Sequence, residues 1–551
     1  MAAQISEGAG LLNMSIRRAI RAAAGADQSS TPEVFEILTP VRQGSRFWLP
    51  LVALVALAVC LPFIRVLFWI HDEGVLLSGA DRMLRGGKLY ADFFEFLPPG
   101  GFAIPAIWFS LTGVSFLSAR ILATLTILGI ACFSYLACRQ SSRNAPLSAL
   151  LVIGWLVMSQ GTWTQISHHW FTTLFAMIAA WAALVGVESR RSLPWALIAG
   201  AASGTAGMIT PTRGALATLA ALTAFLHLRT SWARAIPYVL GVAMVPAALI
   251  LYLALNGSLV AAFEDVILWT ASRYGSIQSV PFGYYAWPPN LPLAFLFPLA
   301  AVLVILVCIR DWRAAVGNRV FLLCVAFGIA GFIGCFPRPD IGHIAFSVPL
   351  VYPLLALCVA RLSPNWRPAF RWTLAALAIV LHVPSVIVLT WLAQQAWSSP
   401  VVATPRGDVQ FFQVPGQIEA RDKMLARIGT LPPGDSIFFY PYLPMVPFLA
   451  GREQAAKEDI FLPYYTLPSQ YHDACLAVMR QASWMIMDHT WLGPGKWKEV
   501  YPAMPEDIPQ ETVQFERILD LSFEFVAQDG TFELRRRRKE VGEEICAETA
   551  K

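Results

Sequence analysis

The chain has 551 residues, 56% hydrophobic and only 14% charged, with a mean hydropathy of +0.55. Soluble domains carry about a quarter charged residues, so this composition excludes one and indicates an α-helical polytopic membrane protein. The net charge of +5 comes mostly from arginines in short loops and at both ends, and no basic module suited to nucleic acid is visible.

Residues 1–46 lack the pattern of a cleavable signal. Within them, 11–24 reads either as a basic amphipathic helix on the membrane surface or as an unstructured basic leader. About eleven apolar segments follow, at 47–70, 120–138, 146–160, 170–187, 193–209, 214–228, 235–256, 290–309, 320–336, 344–360 and 372–393. They define a transmembrane domain over 47–395, with a first external loop at 71–119. Alternate loops collect the arginines: Arg139 and Arg143, Arg190 and Arg191, Arg229 and Arg234, Arg310, Arg313 and Arg319, then Arg361, Arg367 and Arg371. The positive-inside rule places these loops and the N-terminus in the cytoplasm, and an odd number of spans puts the C-terminal part outside. Segment 101–116 is also apolar, but counting it as a span would throw most of those loops outside. It is expected to lie along the interface or re-enter it.

From about 396 the chain turns polar. Strand-like stretches at 436–440, 484–488, 523–526 and 531–534 and a helix-like stretch at 474–480 predict a small extracytoplasmic α/β domain over 396–551. Its basic run 535–539 reads as a solvated terminus or a contact for anionic lipid. Seven of the nine cysteines lie in or beside apolar segments and read as core residues. Cys475 and Cys546 lie in the tail, where an oxidising compartment would allow them to pair.

The most informative stretch comes directly after the first span. His71-Asp72-Glu73-Gly74 puts two carboxylates at the mouth of a membrane segment, where charge is costly unless it lines a polar cavity or a site. Gly86-Gly87-Lys88-Leu89-Tyr90-Ala91-Asp92 follows, then Pro98-Pro99-Gly100. This ordered set resembles the first external loop of the GT-C superfamily, the polytopic glycosyltransferases that take sugars from polyprenyl-phosphate carriers, and in particular the bacterial Pmt/ArnT/Rgt-like branch. Leu97 stands where some relatives carry a lysine. The resemblance implies a GT-C fold with juxtamembrane helices in loop 71–119, a bacterial plasma-membrane location, and inverting sugar transfer with Asp72 as base and Glu73 assisting or orienting the loop.

Sugar transfer from such a donor needs a base for the acceptor hydroxyl and cations for the departing phosphate. The topology gathers candidates for both on the external side. Arg338 and His343, in Arg338-Pro339-Asp340-Ile341-Gly342-His343, are the leading phosphate ligands, with Arg273 and Lys88 behind them. The plain alternative is a local cap, with Arg338 paired to Asp340 and His343 bonded to backbone. Tyr90, Asp92, Asp340, His168 and His169 are candidate substrate contacts. Adjacent histidines point apart on a helix, so no dedicated metal site and no cofactor are expected, with a need for a divalent metal left open. Trp163, Trp170, Trp269 and Trp287 read as an interfacial belt. No phosphate-cradling glycine loop occurs in context, so the donor is expected to be lipid-linked and the acceptor a glycan, lipid or protein. Two other readings stay open: a transporter or flippase, and a ligase of lipid-linked glycans.

Overall fold

The computed structural model describes residues 47–68, 71–189, 192–225, 232–412 and 417–549. The possible amphipathic helix at 11–24, and Arg190, Arg191 and Arg229 of the arginine loops, lie outside the described residues. Each of the eleven apolar segments contains a helix, so the apolar pattern located the elements correctly. Five of these helices are long and apolar enough to cross a membrane alone: Phe116–Ser142, His168–Glu188, Ala235–Leu255, Leu291–Gly317 and Pro368–Ser398. A sixth crossing results if the pair bent by 58°, Ile341–Leu350 and Tyr352–Leu362, is one span. Large apolar side chains such as Leu240, Leu251, Val380 and Ile387 stay exposed on these helices, as lipid-facing surfaces require. The chain is an integral membrane protein.

Several boundaries differ from expectation, the first most of all. The first segment does not run as one helix from 47 to 70. Trp48–Cys60 is α-helical, Leu61–Phe63 tightens into a 3₁₀ turn around Pro62, and Val66–Leu67 is extended as β1. Proline cannot donate a helical hydrogen bond, so the helix stops there and the chain leaves the bundle in extended form. Segment 101–116 forms a short helix, Gly100–Thr112, that ends at Gly113 with φ +85° before Phe116–Ser142 begins.

After the last long helix, β2 (Val401–Val402) and β3 (Val409–Phe411) join β1 in a small sheet of order β1-β3-β2, with β1 and β3 parallel. This sheet pins the exit of the first helix to the start of the C-terminal region. Beyond it, β4 (Ser436–Tyr440), β5 (Ala482–Asp488), β6 (Phe523–Asp529) and β7 (Phe532–Arg537) form a second sheet of order β4-β5-β7-β6. Helices Pro468–Gln481 and Gln510–Ser522 fill its connections, and Cys475 is bonded to Cys546 behind it. The expected α/β elements are thus present.

Loop 71–119 is clamped between the two parts. A methyl on Gly74 would sit 2.2 Å from the Met445 amide nitrogen, so helix Asp72–Leu84 docks backbone to backbone on helix Met445–Ala450. Ser78 donates to the Pro444 carbonyl at 2.7 Å, and Arg82 pairs with Asp459 at 2.6 Å. On the membrane side the Gly100 amide donates to the Met208 carbonyl at 2.8 Å, an approach a Cβ would block.

Candidate active site

Asp72 and Glu73 open the same helix and have opposite surroundings. Glu73 is 1% exposed and ion-paired with Arg120, itself 1% exposed, while the Ile166 amide donates to its Oε1 at 2.9 Å. Burial raises the Glu73 pKa, and Arg120 and the Ile166 amide offset part of that rise. Arg120 also donates to the Val66 carbonyl at 2.8 and 3.1 Å, so this pair ties the loop to the second span and to β1. Asp72 is exposed, and its Oδ1 accepts a 2.6 Å hydrogen bond from the Tyr442 hydroxyl. Burial and the Asp72 charge push the Tyr442 pKa well up, which keeps that phenol a donor.

His71 is held by the same domain. Its ring stacks on Tyr442 at 5.0 Å and meets Trp491 edge-on at 5.1 Å, and the Trp491 indole N–H donates to its Nε2 at 3.0 Å. Burial, with the nearby Arg421 charge added, pushes the His71 pKa down to about 3. The ring is therefore neutral, with its proton on Nδ1.

A cationic group sits at the helix mouths. Each nitrogen of Arg338 has a protein partner: Nε the Asp340 carboxylate at 2.7 Å, Nη1 the Gln278 side chain at 2.8 Å and Nη2 the Val500 carbonyl at 2.8 Å. Asp340 caps helix Ile341–Ser347 through the His343 amide and also takes His343 Nδ1 at 2.8 Å. Burial would raise the Asp340 pKa, but His343 and Arg338 outweigh it and hold the carboxyl well below its usual range. The Arg338–Asp340 pair of the plain alternative is therefore present, whereas the His343 ring bonds the Asp340 side chain and not backbone. His343 packs against His169 at 4.6 Å, and His169 against His168 at 3.8 Å.

Arg213 completes this group, and sequence reasoning missed it. Its Nε donates to the Gly334 carbonyl at 2.8 Å, while its Nη1 and His169 Nδ1 are buried with no partner among the described residues. The available signal was its position, a lone arginine in Thr210-Pro211-Thr212-Arg213 at the mouth of an apolar segment. Tyr274 joins the two halves of the site: its phenol lies within electrostatic reach of Asp72, Arg213, Arg338 and Asp340. Tyr501 does the same from the C-terminal side, under the Arg338 guanidinium at 5.4 Å and within reach of Asp72.

Other expected residues fall elsewhere. Tyr90 is 2% exposed with φ +70°, and its hydroxyl donates to the Leu97 carbonyl at 2.7 Å, a loop lock rather than an open contact. Asp92 accepts the Lys88 amide at 2.8 Å; both residues are exposed, and nothing among the described residues links them to Asp72. The Arg273 side chain makes no ion pair among the described residues. Trp170 (1% exposed) and Trp269 (3%) are not interfacial: Trp170 packs on Trp155 and Phe346, and Trp269 on Phe94, Phe96 and Tyr465. No group of three or more metal-ligating side chains occurs among the described residues.

No family model and no curated protein matches the chain. Solved structures do. ArnT from Cupriavidus metallidurans bound to undecaprenyl phosphate shares 15% identity over 90% of this chain and 99% of that one, at a TM-score of 0.55. The Archaeoglobus fulgidus oligosaccharyltransferase AglB, in complex with an inhibitory peptide and a dolichol-phosphate, shares 12% identity over 91% and 75% at a TM-score of 0.51. At such identity the likeness concerns architecture, and these are GT-C membrane glycosyltransferases. The chain has the GT-C fold.

Proposed function

We propose that the chain is an inverting glycosyltransferase that moves a sugar from a polyprenyl-phosphate-linked donor to an acceptor hydroxyl at the extracytoplasmic face. The observation that carries this is one exposed carboxylate, Asp72, sharing a site with a buried cationic group through Tyr274. Asp72 takes the acceptor proton as the acceptor oxygen bonds to the anomeric carbon. The bond from that carbon to the phosphate oxygen breaks, and polyprenyl phosphate leaves with the electron pair. Arg213 and His343, with His168 and His169 beside them, meet the charge that grows on that phosphate. Arg338 shares in this field while holding Asp340 and His343 in place. Glu73 orients the loop through Arg120. The lipid phosphates bound by ArnT and AglB support this class of donor. Pairing of Cys475 with Cys546 supports an oxidising compartment for the C-terminal domain, which agrees with the arginine topology.

The test is transfer of labelled sugar from polyprenyl-phosphate donors to an extract of native acceptors, comparing wild type with Asp72→Asn. Asparagine keeps the shape and the bond from Tyr442 but cannot take a proton. Transfer is expected to fall by about 10²–10⁴ with the fold and donor binding kept. Full activity in Asp72→Asn removes the assignment of the base. No transfer by wild type, with movement of lipid-linked glycan across liposomes, makes the chain a transporter.

A further inference from the structure

The transfer mechanism leaves one buried arginine of the C-terminal region unused. Arg421 lies on helix Gln417–Thr430, 6% exposed, with its guanidinium 5.7 Å from the centre of the Phe411 ring. Among the described residues its Nε and Nη1 are buried with no hydrogen-bond partner, and it forms no ion pair. Asp488 is the acid within electrostatic reach, but its Oδ1 is taken by the Thr490 amide at 3.0 Å and hydroxyl at 2.7 Å. Burial brings the Arg421 pKa down to about 10, still far above neutrality, so the group stays charged. A buried charge without a partner costs several kcal/mol, and a fold has no structural reason to keep one.

The position of Arg421 indicates what it lacks. Its charge reaches His71, whose Nε2 is occupied by Trp491 and whose Nδ1–H has no partner among the described residues. His71 stacks on Tyr442, and Tyr442 holds Asp72. Arg421 therefore lies within electrostatic reach of a ring that packs on the residue holding the carboxylate. In the transfer reading Arg213 and Arg338 already supply the cations the donor phosphate needs. We infer that the acceptor bears an anionic oxygen group, a phosphate or a carboxylate, and that Arg421 and the Nδ1–H of His71 take it while a neighbouring hydroxyl reaches Asp72. This rests on the transfer reading above and extends it by naming the acceptor's chemical class.

Two measurements on the full-length protein in nanodiscs test it. In the first, native acceptor extract is split by anion exchange into neutral and retained fractions, and the retained one is treated with phosphatase or with a carboxyl-blocking carbodiimide. Labelled sugar is expected in the retained fraction, and loss after one treatment identifies phosphate or carboxylate. Arg421→Met is expected to raise the acceptor KM by tenfold or more (about 1.4 kcal/mol) without a matching rise in donor KM. Label in the neutral fraction overturns the inference, as does an unchanged acceptor KM. The second needs no substrate: Arg421→Met is expected to melt a few degrees higher than wild type, because it removes an uncompensated buried charge. A lower melting temperature makes Arg421 a structural residue and overturns the inference. Slow hydrolysis of the labelled donor without acceptor, lost in Asp72→Asn, reports the transfer reading alone. Absence of both hydrolysis and transfer brings down both readings, whereas hydrolysis with label in the neutral fraction brings down only this one.

Discussion

Asp72 sits between two regions built in different ways. On the membrane side, Arg338 bonds Asp340, Gln278 and Val500, and Asp340 in turn fixes His343. On the C-terminal side, Tyr442 touches Asp72 directly, while Nε and Nη1 of Arg421 have no hydrogen-bond partner among the described residues. Around Arg338 the polar network is closed, whereas Arg421 carries unmet bonding capacity, as Arg213 Nη1 does on the membrane side. A network closed on itself holds its geometry before any substrate arrives, which suits a donor phosphate bound the same way in every cycle. Unmet donors are costly unless a ligand meets them, which suits the side where the partner changes.

The comparison breaks most visibly at its arginines. Arg338→Gln removes three donors at once and leaves Asp340 without its guanidinium. Losing one partner of a buried pair typically costs about 3–5 kcal/mol, so melting temperature and transfer are expected to fall together. Arg213→Gln loses one bond, to the Gly334 carbonyl, and about 1 kcal/mol of stability. Transfer is nevertheless expected to drop by about 10²–10³, since a donor aimed at developing charge is lost. Thermal melts beside activity assays separate the two cases. Equal loss of stability in both variants would erase the distinction between a network arginine and a ligand-facing one.

A smaller effect is expected at Tyr442. Phenylalanine keeps the stack on His71 and removes the bond to Asp72. With the carboxylate free to turn, kcat is expected to fall about tenfold while donor KM holds, because Tyr442 positions the base and does not touch the donor. A rise in donor KM with kcat unchanged would instead place Tyr442 among the binding residues.

How far the sequence disclosed these two regions follows from how each is encoded. Asp72, Glu73, His168, His169, Arg338, Asp340 and His343 lie in short runs at the mouths of apolar segments, where any charge stands out against its surroundings. The topology could therefore collect them on one face. Arg120 and Arg213 sit in comparable places but singly, and one arginine at a helix mouth reads as an ordinary boundary. The C-terminal contribution left no local trace. Tyr442 bonds Asp72 across 370 residues and Trp491 bonds His71 across 420, so only the docked fold brings them together. Strands β4 to β7 were readable because alternation and turns are local, while their docking depends on Gly74, a residue that reads equally well as part of a turn. Trp170 and Trp269 were misplaced because a tryptophan near a helix end has the same sequence signal at an interface as in a core.

The smallest effect concerns the contact between the two regions. Glu458 is 3% exposed beside Asp459, the residue that clamps Arg82 of the first loop, and its Oε2 has no partner among the described residues. Burial chiefly pushes its pKa up to about 8; Asp473 and Asp459 add to the rise and Lys457 offsets part of it. The native state keeps a proton that the unfolded chain releases near pH 4.3. Native protein therefore binds more protons than unfolded between about pH 4.3 and 8, and the Glu458 contribution makes stability fall as pH rises through that window. Below it the group is neutral in both states, and above it the cost is complete. Asp265, pushed up to about 7 mainly by burial, acts in the same direction where helix Glu264–Tyr274 meets Glu95. Glu458→Gln cannot ionise, so it is expected to match wild type in melting temperature at pH 4 and exceed it at pH 8. An identical slope in both proteins would mean that Glu458 stays ionised through the window, and that the clamp at Arg82 and Asp459 tolerates a second carboxylate beside it.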